Sequence, residues 1–176
     1  RSSSLPLSEA LIQGIIEGDN IEVIDIGLVT TPMYYYGQIF LNDGKNIMPG
    51  IMITASHNPK EYNGMKMTVN DFGNACGEMI QQFRRFVEEN SKKEVNNERD
   101  VIGHVVKENV REGYLNLVKK SIDLGDKKIK AVVDTANGTA SIIAQEMFDM
   151  FKDKIEMIPL YMESDSEFPN HHPDPS

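Results

Sequence analysis

Short β-branched segments alternate along this chain with longer segments in which apolar residues recur at the helical period. The four-residue spacing of Leu7, Leu11 and Ile15 predicts an amphipathic helix over 7–17. Residues 21–27 are β-branched and too few for a helix, so they predict a strand. This alternation predicts an α/β fold of mixed, mainly parallel sheets with flanking helices. Further strands are expected at 47–54, 65–69, 101–106, 128–134 and 155–161, and further helices at 31–41, 79–89, 110–123 and 139–151. Thr31 is the predicted N-cap of the helix at 31–41, followed by Pro32 at its first helical position.

The strand and helix pattern starts again near residue 128, after a charged, apolar-poor segment at 91–100 that predicts a surface loop. We therefore expect two lobes, residues 1–107 and residues 108–176, with a linking helix at the start of the second. The chain begins almost directly on a helix and ends in a proline-rich polar run, so we expect both lobes to be truncated. A fragment of this kind would expose a sheet edge, which favours self-association.

Composition excludes several classes of partner. The formal net charge of −9 argues against a nucleic-acid partner, while leaving small anionic ligands open. The sequence has neither an apolar run long enough for a membrane helix nor a signal pattern, so no membrane partner is expected. The single Cys76 allows neither an intramolecular disulfide nor a multi-cysteine zinc site, which suits a cytoplasmic location.

The segment TASHNPKEYNGMK, residues 54–66, follows an apolar strand and combines turn residues with polar side chains. Such a segment predicts a site for a polar or anionic ligand. His57 adjoins Ser56, but neighbouring side chains in extended chain point to opposite sides, so adjacency alone does not make a catalytic pair. A serine hydrolase would need a G-x-S-x-G elbow, which is not present around Ser56. The residues alone leave a structural serine and an anion-binding loop as open alternatives.

The same segment closely resembles the phosphoserine loop of the α-D-phosphohexomutases, in particular their bacterial phosphomannomutase/phosphoglucomutase group. Three further segments resemble that family in the same order along the chain: IDIGLVTTPM, AVVDTANGTAS and FPNHHPDPS. The resemblance implies the first domain of the family followed by an incomplete second domain. It therefore extends over most of the chain, with the serine loop as its most specific part.

The resemblance implies roles for individual residues. Ser56 would carry the transferable phosphoryl group, and Lys66 would act as general acid/base beside the reacting sugar hydroxyl. His57 would contact phosphate or handle a proton. Asn58 and Asn63 are candidates for substrate or phosphate binding, although such side chains more often hold a loop through hydrogen bonds to the backbone.

Two further positions follow from the same alignment. Gly64 is expected to need a positive φ, because it ends the Asn-Gly turn. Arg1, followed by Ser2, Ser3 and Ser4, resembles the arginine of an Arg-x-Ser-Ser segment in the family.

The activity that the resemblance implies is the interconversion of hexose 1-phosphate and hexose 6-phosphate, with mannose or glucose as the sugar. The intermediate is a hexose 1,6-bisphosphate, and Mg2+ is bound through the phosphate on Ser56. The family's Asp-Gly-Asp-x-Asp-Arg magnesium loop and its Gly-Glu-x-Ser-Gly-His sugar loop do not occur in these 176 residues. The chain alone is therefore expected to have negligible turnover. A glucosamine-phosphate mutase and a non-catalytic sugar-phosphate-binding module are the alternatives.

Overall fold

The computed structural model describes residues 1–18, 20–42, 44–69, 73–91 and 103–174. Within them are five helices: α1 Ser4–Gly18, α2 Thr31–Phe40, α3 Glu78–Asn90, α4 Arg111–Ser121 and α5 Ser141–Asp149. The six strands are β1 Glu22–Asp25, β2 Gly50–Ile53, β3 Met65–Thr68, β4 His104–Lys107, β5 Ile129–Asp134 and β6 Ile155–Leu160. The predicted α/β class is confirmed.

The strands form three two-stranded sheets in the described part of the chain. Strands β1 and β4 run parallel, as do β5 and β6, whereas β2 and β3 form an antiparallel hairpin. Two parallel pairs and one antiparallel pair match the predicted mixed, mainly parallel arrangement. In the hairpin Ile53 lies opposite Met65, so the segment 54–64 connects the two strands.

Several predicted boundaries shift. Helix α1 begins at Ser4, earlier than the predicted residue 7. The N-cap of α2 is Thr30, which makes no side-chain cap hydrogen bond, and Thr31 is the first helical residue. The predicted loop at 91–100 lies outside the described residues except for Ser91, and residues 101 and 102 of the predicted strand 101–106 also lie outside them.

The buried core joins α2, α4 and α5 and the short segments that lead into them. Polar side chains at its edge tie the hairpin to α2, because Tyr34 Oη lies 3.1 Å from Thr68 Oγ1 on β3. Burial raises the pKa of Tyr34, which keeps its hydroxyl protonated and able to donate. The core residues are Val29, Met33, Tyr34, Val110, Leu115 and Ile143.

Close approach of β2 to α2 fixes the other strand of the hairpin. A Cβ at Gly50 would lie 2.9 Å from Gln38 Nε2 and 3.0 Å from Tyr34, so the first residue of β2 has room only for glycine. Gln38 Nε2 also donates to the Met48 carbonyl at 2.8 Å. Both strands that lead to the 54–64 segment are therefore held against one helix.

None of the helices in the described ranges is long and apolar enough to cross a membrane.

Candidate active site

The serine-bearing loop connects β2 to β3 and is closed by its own backbone. Thr54 N donates to Gly64 O at 2.9 Å, which continues the strand pairing past the end of β2. Asn58 N donates to Ala55 O at 3.0 Å and makes a turn around the serine. Ala55 is buried with 6% of its surface exposed, whereas Ser56 is exposed. The buried alanine anchors the loop, and the next residue presents its hydroxyl to solvent.

Ser56 adopts a left-handed backbone conformation, with φ at 52°. Its N–H donates to Thr54 Oγ1 at 3.1 Å. This turn brings His57 Nδ1 to 3.4 Å from Ser56 Oγ, at the long end of hydrogen-bond distances. The expectation that the two side chains diverge is therefore wrong, because it assumed extended chain at a residue that is left-handed. His57 lies beside the serine hydroxyl.

The positive φ predicted for Gly64 is also wrong. The glycines with positive φ in the described residues are Gly27, Gly44, Gly73, Gly77 and Gly125. Gly64 serves instead as a small residue at the hairpin junction, since a Cβ there would lie 3.3 Å from the Thr54 carbonyl oxygen. The loop places its left-handed residue at Ser56, ahead of the Asn-Gly pair.

Arg1 contacts the main chain of the serine loop. Its Nη2 donates to the carbonyl oxygens of Ser56 at 2.9 Å and of Asn58 at 2.6 Å. Its Cζ lies 5.1 Å from the centroid of the Phe168 ring, within the range of a cation–π contact. Arg1 thus bridges the serine loop and the segment that follows β6.

The two asparagines hold the loop in different ways. Asn63 Nδ2 donates to Ser3 Oγ at 3.0 Å and to Ser4 Oγ at 3.1 Å, and its Oδ1 accepts from Gly64 N at 2.9 Å. Asn58 acts through its main chain, whose carbonyl accepts from Arg1. Contact of either side chain with phosphate stays a prediction.

Lys66 lies on β3 directly opposite Met52. Alternation along the strand puts Lys66 on the same face as Thr68, which is buried against α2. The lysine is half-buried, and within the described ranges no ion pair is formed by its ammonium group. Its acid/base role stays a prediction.

Comparison with known proteins places this geometry in a family. A family model described as "Phosphoglucomutase/phosphomannomutase, alpha/beta/alpha domain I" matches residues 1–94. The chain belongs to the phosphoglucomutase/phosphomannomutase family. A phosphomannomutase/phosphoglucomutase from Pseudomonas aeruginosa is 37% identical over 175 residues, and a phosphoglucomutase from Neisseria gonorrhoeae is 32% identical over 176 residues.

A solved structure of a phosphoglucomutase/phosphomannomutase family protein from Burkholderia thailandensis aligns with a TM-score of 0.76 at 30% identity, covering 96% of this chain and 35% of that one. The alignments with the two relatives cover 99% and 100% of this chain. The chain spans 35% of the length of each of these curated relatives.

A magnesium ion, which the family resemblance implies, does not fit the described residues by themselves. Mg2+ is bound in proteins by carboxylate oxygens together with water and substrate phosphates. The described residues contain no group of three or more His, Cys, Asp and Glu side chains able to hold a metal ion. The described part of the chain therefore supplies Ser56 with no such group of ligands.

Sequence reasoning missed the contacts that the segment after β6 makes with the serine loop. Lys60 forms an ion pair with Glu167, and Phe168 covers Arg1. The available signal was the FPNHHPDPS resemblance, which marked the segment without showing what it contacts. The position of this segment near the serine loop depends on tertiary structure, which the spacing of residues in the sequence does not predict.

Proposed function

We propose that the protein containing this chain is a hexose-phosphate mutase that interconverts the 1- and 6-phosphates of mannose or glucose. The observation that carries the proposal is Ser56, an exposed serine turned out of the β2–β3 hairpin by a left-handed backbone. The names of the Pseudomonas and Neisseria relatives support the same reaction. We propose a hexose monophosphate as the substrate and a hexose 1,6-bisphosphate as the intermediate.

The proposed reaction transfers a phosphoryl group from phosphorylated Ser56 to the free hydroxyl of the bound sugar phosphate. The bond between phosphorus and Ser56 Oγ breaks, and a bond to the sugar oxygen forms. The proton leaving the sugar hydroxyl passes to a base, for which we propose Lys66. His57, 3.4 Å from Ser56 Oγ, is placed to contact the phosphoryl group or to supply a proton to the departing serine oxygen.

The second half of the reaction reverses these roles. After the bisphosphate reorients, Ser56 Oγ attacks its other phosphate and the released sugar oxygen regains a proton. Positioning and electrostatic stabilisation provide most of the rate enhancement in phosphoryl transfer. We also propose that Asn58 and Asn63 contact phosphate and that the full-length protein uses Mg2+, which would bind through the phosphate on Ser56 and stabilise charge on the phosphoryl group.

Two coarser features accompany this proposal. Residues 1–107 are proposed to form the first α/β lobe and residues 108–176 the start of a second, which the domain I match to 1–94 supports. A cytoplasmic location is proposed because the single Cys76 is a free, exposed thiol, a state that reducing compartments maintain.

The test is intact-mass spectrometry of the full-length protein as its gene encodes it, after incubation with glucose 1,6-bisphosphate. The wild type is expected to gain one phosphoryl group, and Ser56→Ala is expected to gain none. Ser121→Ala is the matched control, since Ser121 Oγ only donates to the Leu117 carbonyl at the end of α4. Equal phosphorylation of Ser56→Ala would disprove the nucleophile, and an unphosphorylated wild type would favour a non-catalytic binding module.

A coupled assay of the 176-residue chain, with glucose 1-phosphate as substrate, is expected to show no turnover above background. The reason is that the family's magnesium and sugar loops do not occur in this sequence. Measurable production of glucose 6-phosphate by the chain alone would show that mutase activity does not require the family's magnesium and sugar loops.

A further inference from the structure

The backbone of Ser56 is held in a conformation that serine rarely adopts. At φ 52° it lies in the left-handed region, which L-residues enter mainly where neighbouring groups impose it. Two carbonyl groups, those of Ser56 and Asn58, accept hydrogen bonds from one nitrogen of Arg1. Both carbonyls lie within reach of this one nitrogen at the turn that the hydrogen bond from Asn58 N to Ala55 O closes.

The guanidinium of Arg1 is covered as well as bonded. Its Nη1 is buried and has no hydrogen-bond partner among the described residues. The Phe168 ring lies over the group, and close by Lys60 of the serine loop pairs with Glu167. Hydrogen bonds from a charged donor are stronger when the donor is shielded from water. The segment 167–168 therefore strengthens the hydrogen bonds from Arg1 to the carbonyls of Ser56 and Asn58.

We propose that Arg1 is a positioning residue for Ser56, and that Phe168 makes this positioning depend on docking of the segment after β6. The proposal rests on the proposed function, in which Ser56 carries the phosphoryl group. Arg1 acts through the carbonyls of Ser56 and Asn58, so it fixes the backbone of the loop rather than touching the sugar phosphate. The serine hydroxyl is presented beside His57 Nδ1 only while this backbone conformation persists.

Lysine cannot replace arginine fully in this position. Its ammonium is a compact, strongly hydrated charge without the flat face that stacks on an aromatic ring. Arg1→Lys is therefore expected to preserve the charge while losing the contact with Phe168. Arg1→Met removes both the charge and the donors. The two variants separate the effect of charge from that of the planar, bonded guanidinium.

The first measurement is NMR of the 176-residue chain. A positive φ shortens the distance between HN and Hα of Ser56, which gives a strong intraresidue nuclear Overhauser cross-peak. Wild type is expected to show that signature, and Arg1→Met is expected to lose it. Phe168→Leu, which removes the aromatic cover and leaves Arg1 in place, is expected to weaken it. Arg84→Met and Phe86→Leu are matched controls on α3, and both are expected to leave Ser56 unchanged.

The second measurement is the rate of Ser56 phosphorylation by glucose 1,6-bisphosphate in the full-length protein. At saturating donor the rate is expected to fall roughly tenfold or more in Arg1→Met and less in Arg1→Lys, because misplacing a reacting group slows its chemistry. The donor concentration at half-maximal rate is expected to stay unchanged. A purely structural role would not lower the rate at saturating donor while leaving the half-maximal donor concentration unchanged.

Several outcomes overturn the proposal. Retention of the positive-φ signature in both Arg1→Met and Phe168→Leu would show that the loop holds itself. A change confined to the half-maximal donor concentration would make Arg1 a substrate-binding residue instead. If the wild type is not phosphorylated at all, the proposed function fails, and the NMR comparison still decides whether Arg1 positions Ser56.

Discussion

At the scale of single residues, the left-handed Ser56 is stabilised by the hydrogen bonds around it. A non-glycine residue in this region costs about 1–3 kcal/mol. Three hydrogen bonds act directly on the loop: Ser56 N to Thr54 Oγ1, and Arg1 to the carbonyls of Ser56 and Asn58. At about 0.5–1.5 kcal/mol each, they are sufficient to offset the strain. The conformation of the serine thus depends on residues outside its own hairpin.

His171 also forms polar contacts within the segment after β6 and between that segment and Asp134. Its Nδ1 lies 2.9 Å from the His172 carbonyl oxygen and its Nε2 lies 2.9 Å from Asp134 Oδ2. Both partners are acceptors, so both ring nitrogens must carry protons, which describes the imidazolium cation. The His172 carbonyl and Asp134 accordingly raise the pKa of His171. The Ala136 N–H, with a smaller contribution from His171, lowers the pKa of Asp134.

These shifts predict a pH window for the stability of the fold. A raised pKa makes the His171 contribution complete below its ordinary value of 6.5 and lost as pH rises through the folded value. A lowered pKa makes the Asp134 contribution present above its ordinary value of 3.8 and lost as pH falls through the folded value. The contact is therefore expected to stabilise the chain most between these two pH values.

Thermal unfolding of wild type and His171→Gln as a function of pH checks this prediction. The difference in midpoint between the two proteins is expected to be largest near pH 5 to 6 and to shrink towards pH 9. His172→Gln serves as the control, because its ring makes neither of the two contacts described for His171. A constant difference at all pH values would mean that the imidazolium pair does not contribute.

At the scale of elements, the periodicity of apolar residues predicted the positions of the helices. It did not predict which part of the protein each helix packs against. Helix α3 matches the helix predicted at 79–89 and carries Met79, Phe83 and Phe86 at helical spacing, yet these side chains are 43%, 48% and 63% exposed. Period 3.6 identifies an apolar face, but the partner of that face is determined by tertiary structure. The N-cap of α2 is Thr30 rather than the predicted Thr31, and Thr30 makes no side-chain cap hydrogen bond, so the local capping preference does not determine where this helix begins.

The packing of α4 on α2 provides a prediction at this scale. A Cβ at Gly113 on α4 would lie 2.2 Å from Tyr36 Oη and 2.9 Å from Tyr36 Cζ on α2. The Tyr36 ring is already stacked on Phe40 and in edge contact with Tyr114, so it has little room to move. Gly113→Ala is therefore expected to lower the free energy of unfolding by about 1–3 kcal/mol.

Urea denaturation compares this variant with Gly14→Ala on α1, where a Cβ meets nothing within 4 Å. The control is expected to be neutral or to gain about 0.5–1 kcal/mol, because alanine favours the helix over glycine. Adding Tyr36→Phe to Gly113→Ala removes the clashing hydroxyl and is expected to recover part of the loss. Equal stabilities for Gly113→Ala and Gly14→Ala would refute the close contact between the two helices.

At the scale of the whole molecule, the long-range contacts could not be predicted from the sequence. The order of strands and helices, including the strands on either side of Ser56 and His57, followed from local patterns. The pairing of β1 with β4 did not, because periodicity is local and says nothing about which distant strand is adjacent. The contacts of Arg1 with the serine loop and with Phe168 likewise join residues far apart in the chain.

Self-association is the prediction that belongs to this scale. Within the described residues β5 and β6 pair only with each other, so each leaves an edge with unpaired backbone groups. Val132 on β5 lies opposite Ile158 on β6, and the two side chains are 63% and 37% exposed. An apolar face beside open edges favours contact with a second copy of the chain. We expect the 176-residue chain to associate as its concentration rises.

Sedimentation velocity over a range of concentrations measures this association. Val132→Lys is expected to shift the chain towards monomer, because a charge on the exposed face must be desolvated when two copies meet. Leu28→Lys is the matched control, since Leu28 is 68% exposed but lies in the segment between β1 and α2. Association weakened equally by both variants would place the contact outside the β5–β6 face, and a wild type that stays monomeric throughout would contradict the prediction itself.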